Sequence, residues 1–378
     1  MPKEITQLHI IEGLSDIGGT ARMLLALAQY ARQKRTSLVF VCYRAVPLRD
    51  CFLKFGAEVV SIDTLSPFAI TTAAIETARK YHADVICTHF TRPIVTGLIA
   101  AKVCRLPLVH HIHGSACGWS RRQRFIEGMF MRRADLIICN SAHTRDSVGN
   151  CCGVAFERTT VLPCPVEERQ TTREANVVRS ALGWGDATIV VGHVGGMIGL
   201  RDQRTLLSAF ASFNRRCPDS GLLLIGDGPL RRELEAFAGE LGISGQVKFL
   251  GYKVEVGNFL RAMDIYVNPA YLEGFGIAVG EAMLARLPVV LANGGSHPEL
   301  VVDGESGILY SPGDVRALLG VIEKLACNPA SRFKLGEAAR SRALDIFSPA
   351  EITSRHVALL SDVIEETNRR RHKQQKVT

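Results

Sequence analysis

Two runs of alternation dominate this chain and leave few folds open to it. Short β-rich segments at 7–11, 38–43, 57–62, 84–89, 107–112 and 135–139 are separated by amphipathic stretches of helical period. After residue 176 the scheme starts again, with strand-like runs at 187–194, 221–226, 246–250, 264–268, 287–292 and 307–310 and helical stretches at 202–215, 229–240, 255–262, 276–286 and 315–326. Parallel neighbours need a crossover that a helix supplies, so this rhythm predicts parallel sheets. The expected fold class is α/β, with two doubly wound Rossmann-like domains facing each other across a cleft. Length agrees, because 378 residues exceed what one hydrophobic core usually organises.

The prolines of Leu162-Pro163-Cys164-Pro165 break the first run, and the polar segment from Glu167 to Asn176 reads as a linker. The expected domains are 1–165, 166–346, and a C-terminal piece at 347–378 holding a helix near 349–368 and a frayed basic tail, Arg369-Arg370-Arg371-His372-Lys373. Charge is divided unequally. Residues 1–165 hold 20 Lys and Arg against 12 Asp and Glu, whereas the rest holds 25 of each. A basic first half suits an acidic surface or a phosphorylated ligand. No window approaches the roughly 18 apolar residues of a membrane span, so a cytoplasmic protein is expected. The eleven cysteines contain no Cys-x-x-Cys pair and read as reduced core residues.

The densest chemistry lies in Glu273-Gly274-Phe275-Gly276-Ile277-Ala278-Val279-Gly280-Glu281, between a strand and a helix. Free N–H groups at the helix start form an anion site with a carboxylate on either side, although acidic residues near a helix start also serve as dipole partners on a solvated surface. Asn293-Gly294-Gly295-Ser296 adds a second glycine turn after the next strand, on the same sheet edge. Val191-Gly192-His193-Val194-Gly195-Gly196 ends another strand, and Arg201 opens the next helix, a cation placed to suit a diphosphate or simply a surface arginine. Ser15-Asp16-Ile17-Gly18-Gly19-Thr20 follows the first strand and lacks the G-x-G-x-x-G fingerprint, so a ligand turn and an empty turn both fit. His110-His111-Ile112-His113 ends the fifth strand. Alternation puts His111 and His113 on one side, but no Asp, Glu or Cys stands at ligand spacing nearby, so no metal is expected and His113 is read as a hydrogen-bonding group for a polar ligand. The segment 119–134 interleaves Arg121, Arg122, Arg124, Arg132 and Arg133 with Phe125, Ile126, Met129 and Phe130. That stripe serves either a helix packed on its own sheet or peripheral contact with an anionic membrane. No nucleic-acid-binding module is recognisable.

Taken together these motifs resemble the retaining, nucleotide-sugar-dependent glycosyltransferases of the GT-B fold, group 1 or family 4. The span Glu273 to Met283 is similar to that family's Glu-x7-Glu motif, followed by Leu287-Pro288-Val289-Val290, Gly294-Gly295, Pro298-Glu299-Leu300-Val301 and Asp303-Gly304. Weaker likenesses are Gly18-Gly19, His113-Gly114, Asn140-Ser141, Gly226-Asp227-Gly228-Pro229, Phe249-Leu250-Gly251 and Phe347-Ser348. The resemblance implies that Glu273 holds hydroxyls of the transferred sugar, that Glu281 binds the nucleotide ribose, and that Gly274, Phe275, Gly276 and Ile277 offer N–H groups to the diphosphate. It implies further that Arg201 replaces a diphosphate lysine, that the base rests near Lys248 to Tyr252, that Gly195 lines the donor, and that Gly18, Gly19 and His113 close the site from the first domain. The last helix would cross back to that domain.

Two departures stand out: Gly196 occupies a position where the family usually carries arginine, and Cys164-Pro165 stands where Asn-Gly is common. The implied function is transfer of a sugar, with retention, from a nucleotide sugar, UDP-sugar first, to a saccharide or lipid-linked acceptor, as in cell-surface polysaccharide or glycolipid synthesis. No cofactor is implied, since the nucleotide sugar is a co-substrate and no Asp-x-Asp metal chelate occurs. The alternatives left open are a non-catalytic sugar-nucleotide or membrane-surface binding protein and a nucleotide-sugar epimerase of the same fold.

Overall fold

A computed structural model describes residues 4–14, 19–44 and 46–375. The chain divides into two compact units, Met1–Pro165 with Ser348–Thr378, and Val166–Phe347.

In the first unit the elements run β1 (Ile5–Ile11), α1 (Gly19–Ala31), β2 (Thr36–Cys42), α2 (Arg49–Lys54), β3 (Glu58–Ser61), α3 (Pro67–Lys80), β4 (Val85–His89), α4 (Thr91–Cys104), β5 (Leu108–Ile112), α5 (Arg121–Met131), β6 (Leu136–Cys139), α6 (Ala142–Cys152) and β7 (Thr159–Val161). The strands form one parallel sheet in the order β3-β2-β1-β4-β5-β6-β7. β4 and β5 are buried along their whole length, as expected of parallel strands covered on both faces. Helices begin where the sequence offers caps. Ser66 and Ser141 accept from the N–H groups of Ala69 and Thr144, and Pro67 fills the first turn of α3. The edge strand β7 lies where the prolines suggested a break. It is only three residues long and half-buried, too short to carry a periodic signal.

The second unit runs α7 (Ala175–Ala181), β8 (Ile189–Val194), α8 (Gln203–Asn214), β9 (Ser220–Ile225), α9 (Arg231–Glu240), β10 (Val247–Phe249), α10 (Val256–Arg261), β11 (Ile265–Asn268), α11 (Ile277–Leu284), β12 (Val289–Ala292), α12 (His297–Leu300), β13 (Ile308–Tyr310), α13 (Val315–Ala326) and α14 (Pro329–Phe347). Its parallel sheet has the order β10-β9-β8-β11-β12-β13. The expected α/β class, with two doubly wound sheets, is what the structure contains.

Three local expectations are corrected. The segment 169–173 is no free linker, because Asn258 of α10 accepts from the N–H groups of Thr172 (2.7 Å) and Arg173 (3.1 Å). The unforeseen α14 buries only small residues, Gly336, Ala339 and Ala343, before Phe347. It is held by arginines, Arg342 donating to the carbonyls of Leu300 (2.6 Å) and Glu299 (2.9 Å), so no apolar stripe announces it. Finally, the basic tail is helical: α15 spans Pro349–Gln375, and Glu365–Arg369 and Glu366–Arg370 pair one turn apart.

Candidate functional site

In the second unit the strand order reverses between β8 and β11, and ligands of open α/β sheets settle beyond the strand ends at such a point. The loops that meet there are 195–202 and 269–276. After β11, Asn268 Oδ1 accepts from the Ala270 N–H and Pro269 stops the strand. The chain then turns through Gly276, whose φ of 94° suits only glycine, into α11. No side chain caps α11, so the N–H groups of its first turn remain open toward an anion. Glycine is equally required next door. A Cβ on Gly295 would stand 2.4 Å from the Glu273 backbone N and O, and one on Gly294 would stand 2.5 Å from the Tyr271 carbonyl. The two glycine turns read in the sequence are therefore pressed backbone to backbone, with the Ser296 N–H donating to the Glu273 carbonyl at 3.0 Å.

This packing places Glu273 in the interior, at 7% exposure. One carboxylate oxygen accepts from the Gly274 N–H (3.1 Å), and the other pairs with Arg201. Burial pulls the Arg201 guanidinium below its ordinary value, yet a guanidinium remains charged at neutral pH. Glu281, one turn into α11, is buried and meets Arg169 at 3.5 Å. Gly195 is pinned by its N–H to the Ile225 carbonyl, and a Cβ on Gly226 would strike the Gly195 carbonyl at 2.0 Å. Tyr252 is half-exposed and donates from its hydroxyl to the Asp227 carbonyl (3.2 Å). Gly195, Arg201, Tyr252, the turn Gly274-Phe275-Gly276-Ile277 and Glu281 thus share the carboxyl edge of one sheet. Phe275 itself points away, buried and edge-on to Phe347.

Two groups on this edge had been passed over. His193 and His297 donate from Nδ1 to the carbonyls of Val267 (2.9 Å) and Ala292 (2.8 Å), so each Nε2 carries a lone pair, buried and without a hydrogen-bond partner. Burial lowers both to about 4, and the nearby Arg201 charge adds to the effect. An imidazole inside the apolar run of β8 was the available signal. Arg169 was hidden by its place in a polar segment.

Of the first-unit candidates, Gly18 lies outside the described residues, and Gly19 opens α1. His113 follows β5 and ends a hydrogen-bonded chain. Thr36 donates to the Ile5 carbonyl (2.8 Å), so Gln7 Nε2 must donate to Thr36 (2.7 Å), which turns Gln7 Oε1 toward His9. His9 then donates from Nε2, and its Nδ1 accepts from His89 Nε2 (2.9 Å). His89 Nδ1 in turn accepts from His113 Nε2 (2.9 Å). The chain fixes His113 as the Nε2–H tautomer with an accepting Nδ1, and burial lowers it to about 4. Beside it Phe90 sits at φ 68°, a strained conformation for an aromatic residue, with its ring 5.3 Å from that of His113.

The chain is similar to known proteins. The family Glycosyl transferases group 1 matches residues 177–342, and Glycosyltransferase Family 4 matches residues 17–170. The D-inositol 3-phosphate glycosyltransferase of Corynebacterium kroppenstedtii is 30% identical over 332 residues, covering 80% of this chain and 72% of that protein. The GDP-mannose-dependent alpha-(1-6)-phosphatidylinositol monomannoside mannosyltransferase of Mycolicibacterium smegmatis is 29% identical over 267 residues, covering 66% and 68%. Among solved structures, Anabaena Alr3699/HepE in complex with UDP and glucose superposes with a TM-score of 0.86 at 24% identity, covering 95% of this chain and all of that one. WaaG, a glycosyltransferase involved in lipopolysaccharide biosynthesis, superposes at 0.74 with 17% identity over 94% and 99%. With both family halves matched in order and the fold shared over nearly the whole length, the chain belongs to the group 1, family 4 glycosyltransferases and is a glycosyltransferase of the GT-B fold.

Proposed function

We propose that the second unit binds a nucleoside diphosphate sugar, a UDP-sugar first, and that the protein transfers its sugar with retention to a hydroxyl of a saccharide or lipid-linked acceptor. The observation that carries this reading is the pairing of half-buried Arg201 with buried Glu273 at the uncapped start of α11. A diphosphate arriving there takes Arg201 as its counter-ion, helped by the N–H groups of the turn, and frees Glu273 to orient sugar hydroxyls. Charge on the leaving diphosphate is met by these groups with no metal ion required. Glu281 takes the ribose, Tyr252 stands beside the base, and Gly195 leaves room for the phosphates. The Nδ1 of His113 accepts from a ligand hydroxyl, and Gly19 lets a ligand approach the start of α1. The acceptor attacks on the face the diphosphate leaves, and a diphosphate oxygen takes its proton.

Thermal shift with UDP-, GDP- and ADP-sugars tests the donor, since a ligand bound only by the native state raises Tm by mass action. UDP-sugars are expected to shift it most, and no shift with any of the three removes the reading. Glu273→Ala is expected to lower kcat/KM by about 100-fold or more, and wild-type turnover would remove Glu273 from the mechanism. Product formed without acceptor would instead mark an epimerase.

Among the described residues no helix is long and apolar enough to cross a membrane. In α5 the apolar set divides. Gly128 packs against the Cys152 carbonyl and Met131 is buried, while Phe125 is 69% exposed beside Arg121 and Arg122. That outward face supports peripheral contact with anionic lipid as a route to a lipid-linked acceptor. Flotation with anionic liposomes is expected to weaken on neutralising Arg121, Arg122 and Arg124, and unchanged flotation returns α5 to a plain packed helix.

A further inference from the structure

Five histidines of the first unit, His9, His89, His111, His113 and His356, lie ring against ring. His9, His89 and His113 satisfy one another in the chain described above, whereas Cys87, His111 and His356 stand together outside it. Cys87 lies on β4 and His111 on its neighbour β5. Their strands present Val85, Cys87 and Val109 to a cluster completed by Ile352 and Leu360 of α15. On that helix Ile352, His356 and Leu360 recur every fourth residue, so His356 occupies the middle of the apolar stripe that packs on the sheet. A leucine would complete the stripe; an imidazole there needs a partner. Neither His111 Nε2 nor His356 Nε2 has a hydrogen bond, though the residues are 4% and 1% exposed. Two orphaned ring nitrogens in one place are costly unless something fills the gap between them.

The thiol and one nitrogen from each ring all lie within 4.8 Å of one another. We propose that Cys87, His111 and His356 form a structural site for one zinc-class divalent cation, which fastens α15 to β4 and β5. The donor set argues for the metal. One thiolate and two imidazoles, with no carboxylate, suit zinc and exclude calcium or magnesium. Bond lengths of about 2.3 Å to sulfur and 2.0 Å to nitrogen require donors about 3.3–3.5 Å apart, so side-chain shifts of about 1 Å close the site. On the side of the two imidazoles a cavity of about 20 Å³, bordered by His111 and His356 though not by Cys87, has room for one water as a fourth ligand. On binding, the Sγ–metal bond forms as the thiol proton leaves to solvent, while the neutral imidazoles coordinate through lone pairs. No step of sugar transfer passes through this ion.

The test uses the full chain, chelator-treated and then titrated with Co²⁺, with bound metal counted after desalting. The exposed and half-buried thiols Cys117 and Cys151, whose sulfurs lie 3.8 Å apart, are first replaced by serine so that they cannot take up metal. One equivalent is expected, with intense visible bands and a thiolate-to-cobalt charge-transfer band in the near ultraviolet, and Zn²⁺ is expected to displace it and raise Tm. Cys87→Ala should lose the charge-transfer band. His356→Leu, which completes the apolar stripe and so keeps the fold, should bind about 100-fold more weakly and lose the Zn²⁺ shift in Tm. Uptake below about one tenth of an equivalent, or equal uptake by both variants, would overturn the site and leave a buried water as the partner of the two imidazoles.

Discussion

Position 196 bears on the proposed donor site. A Cβ there would meet only the Asp227 carbonyl, at 3.7 Å, and Gly196 is not among the glycines of positive φ. The backbone therefore does not demand glycine, and the cation missing here is a choice of side chain. Gly196→Arg is expected to fold normally and to lower the donor KM by about 10-fold, the worth of one charged hydrogen bond. An unchanged KM in steady-state kinetics counts against Gly196 lying beside the diphosphate. Gly295 is the opposite case, with φ 57° and the Glu273 backbone 2.4 Å from its missing Cβ. Gly295→Ala should cost about 1–3 kcal/mol of stability and displace Glu273, cutting activity as well. Denaturant unfolding and turnover measure the two effects, and wild-type values in both would show that the turns are not tightly apposed.

At the scale of elements, the segment 169–173 contributes to the site through its anchor on α10. Asn258 also donates to Thr172 Oγ1 (3.0 Å), and a Cβ on Gly257 would strike the Gln170 carbonyl at 2.4 Å. This anchoring holds Arg169 against Glu281. Asn258→Ala leaves two backbone N–H groups without their acceptor, at a cost of about 1–3 kcal/mol, and loosens Arg169. Donor KM is expected to rise in Asn258→Ala and in Arg169→Ala, and the double variant to be little worse than either, since both disturb one contact. Strict additivity of the two effects would separate the anchor from the site.

For the molecule as a whole, each unit carries one tryptophan, Trp119 in the first and Trp184 in the second, so their unfolding is separable by fluorescence. In the second unit His193 and His297 are held near 4, below the unfolded value of about 6.5. Above that value they cost nothing. As pH falls from about 6.5 toward 4 the unfolded chain takes up protons that the folded unit refuses, and stability declines. At pH 5 each imidazole accounts for about 2 kcal/mol, and both together for about 4, out of a typical total of about 5–15. With Trp119 replaced by Phe, the Trp184 transition is expected to melt several degrees lower at pH 5 than at pH 7. Equal Tm values at the two pH values would mean that these imidazoles are not buried neutral.

Most of the fold was legible because the hydrophobic period changes from strand to helix and back, and that period is a property of neighbouring residues. The Glu273–Glu281 turn and the glycines of 294–295 were legible for the same reason, since a short loop between strand and helix carries its own chemistry. What escaped had a non-local cause. β7 was too short for a period, α14 is held by arginines on distant carbonyls, and Arg169 reaches Glu281 from a segment anchored on α10, more than eighty residues away. His111 has no metal-ligating side chain near it along the chain; a neighbouring strand and the last helix bring Cys87 and His356 to it. Local composition thus determined which elements form and which glycine turns and carboxylates share one sheet edge, while parallel pairing and helix packing decided which buried donors meet, because such contacts are closed by the sheet order and not by spacing along the sequence.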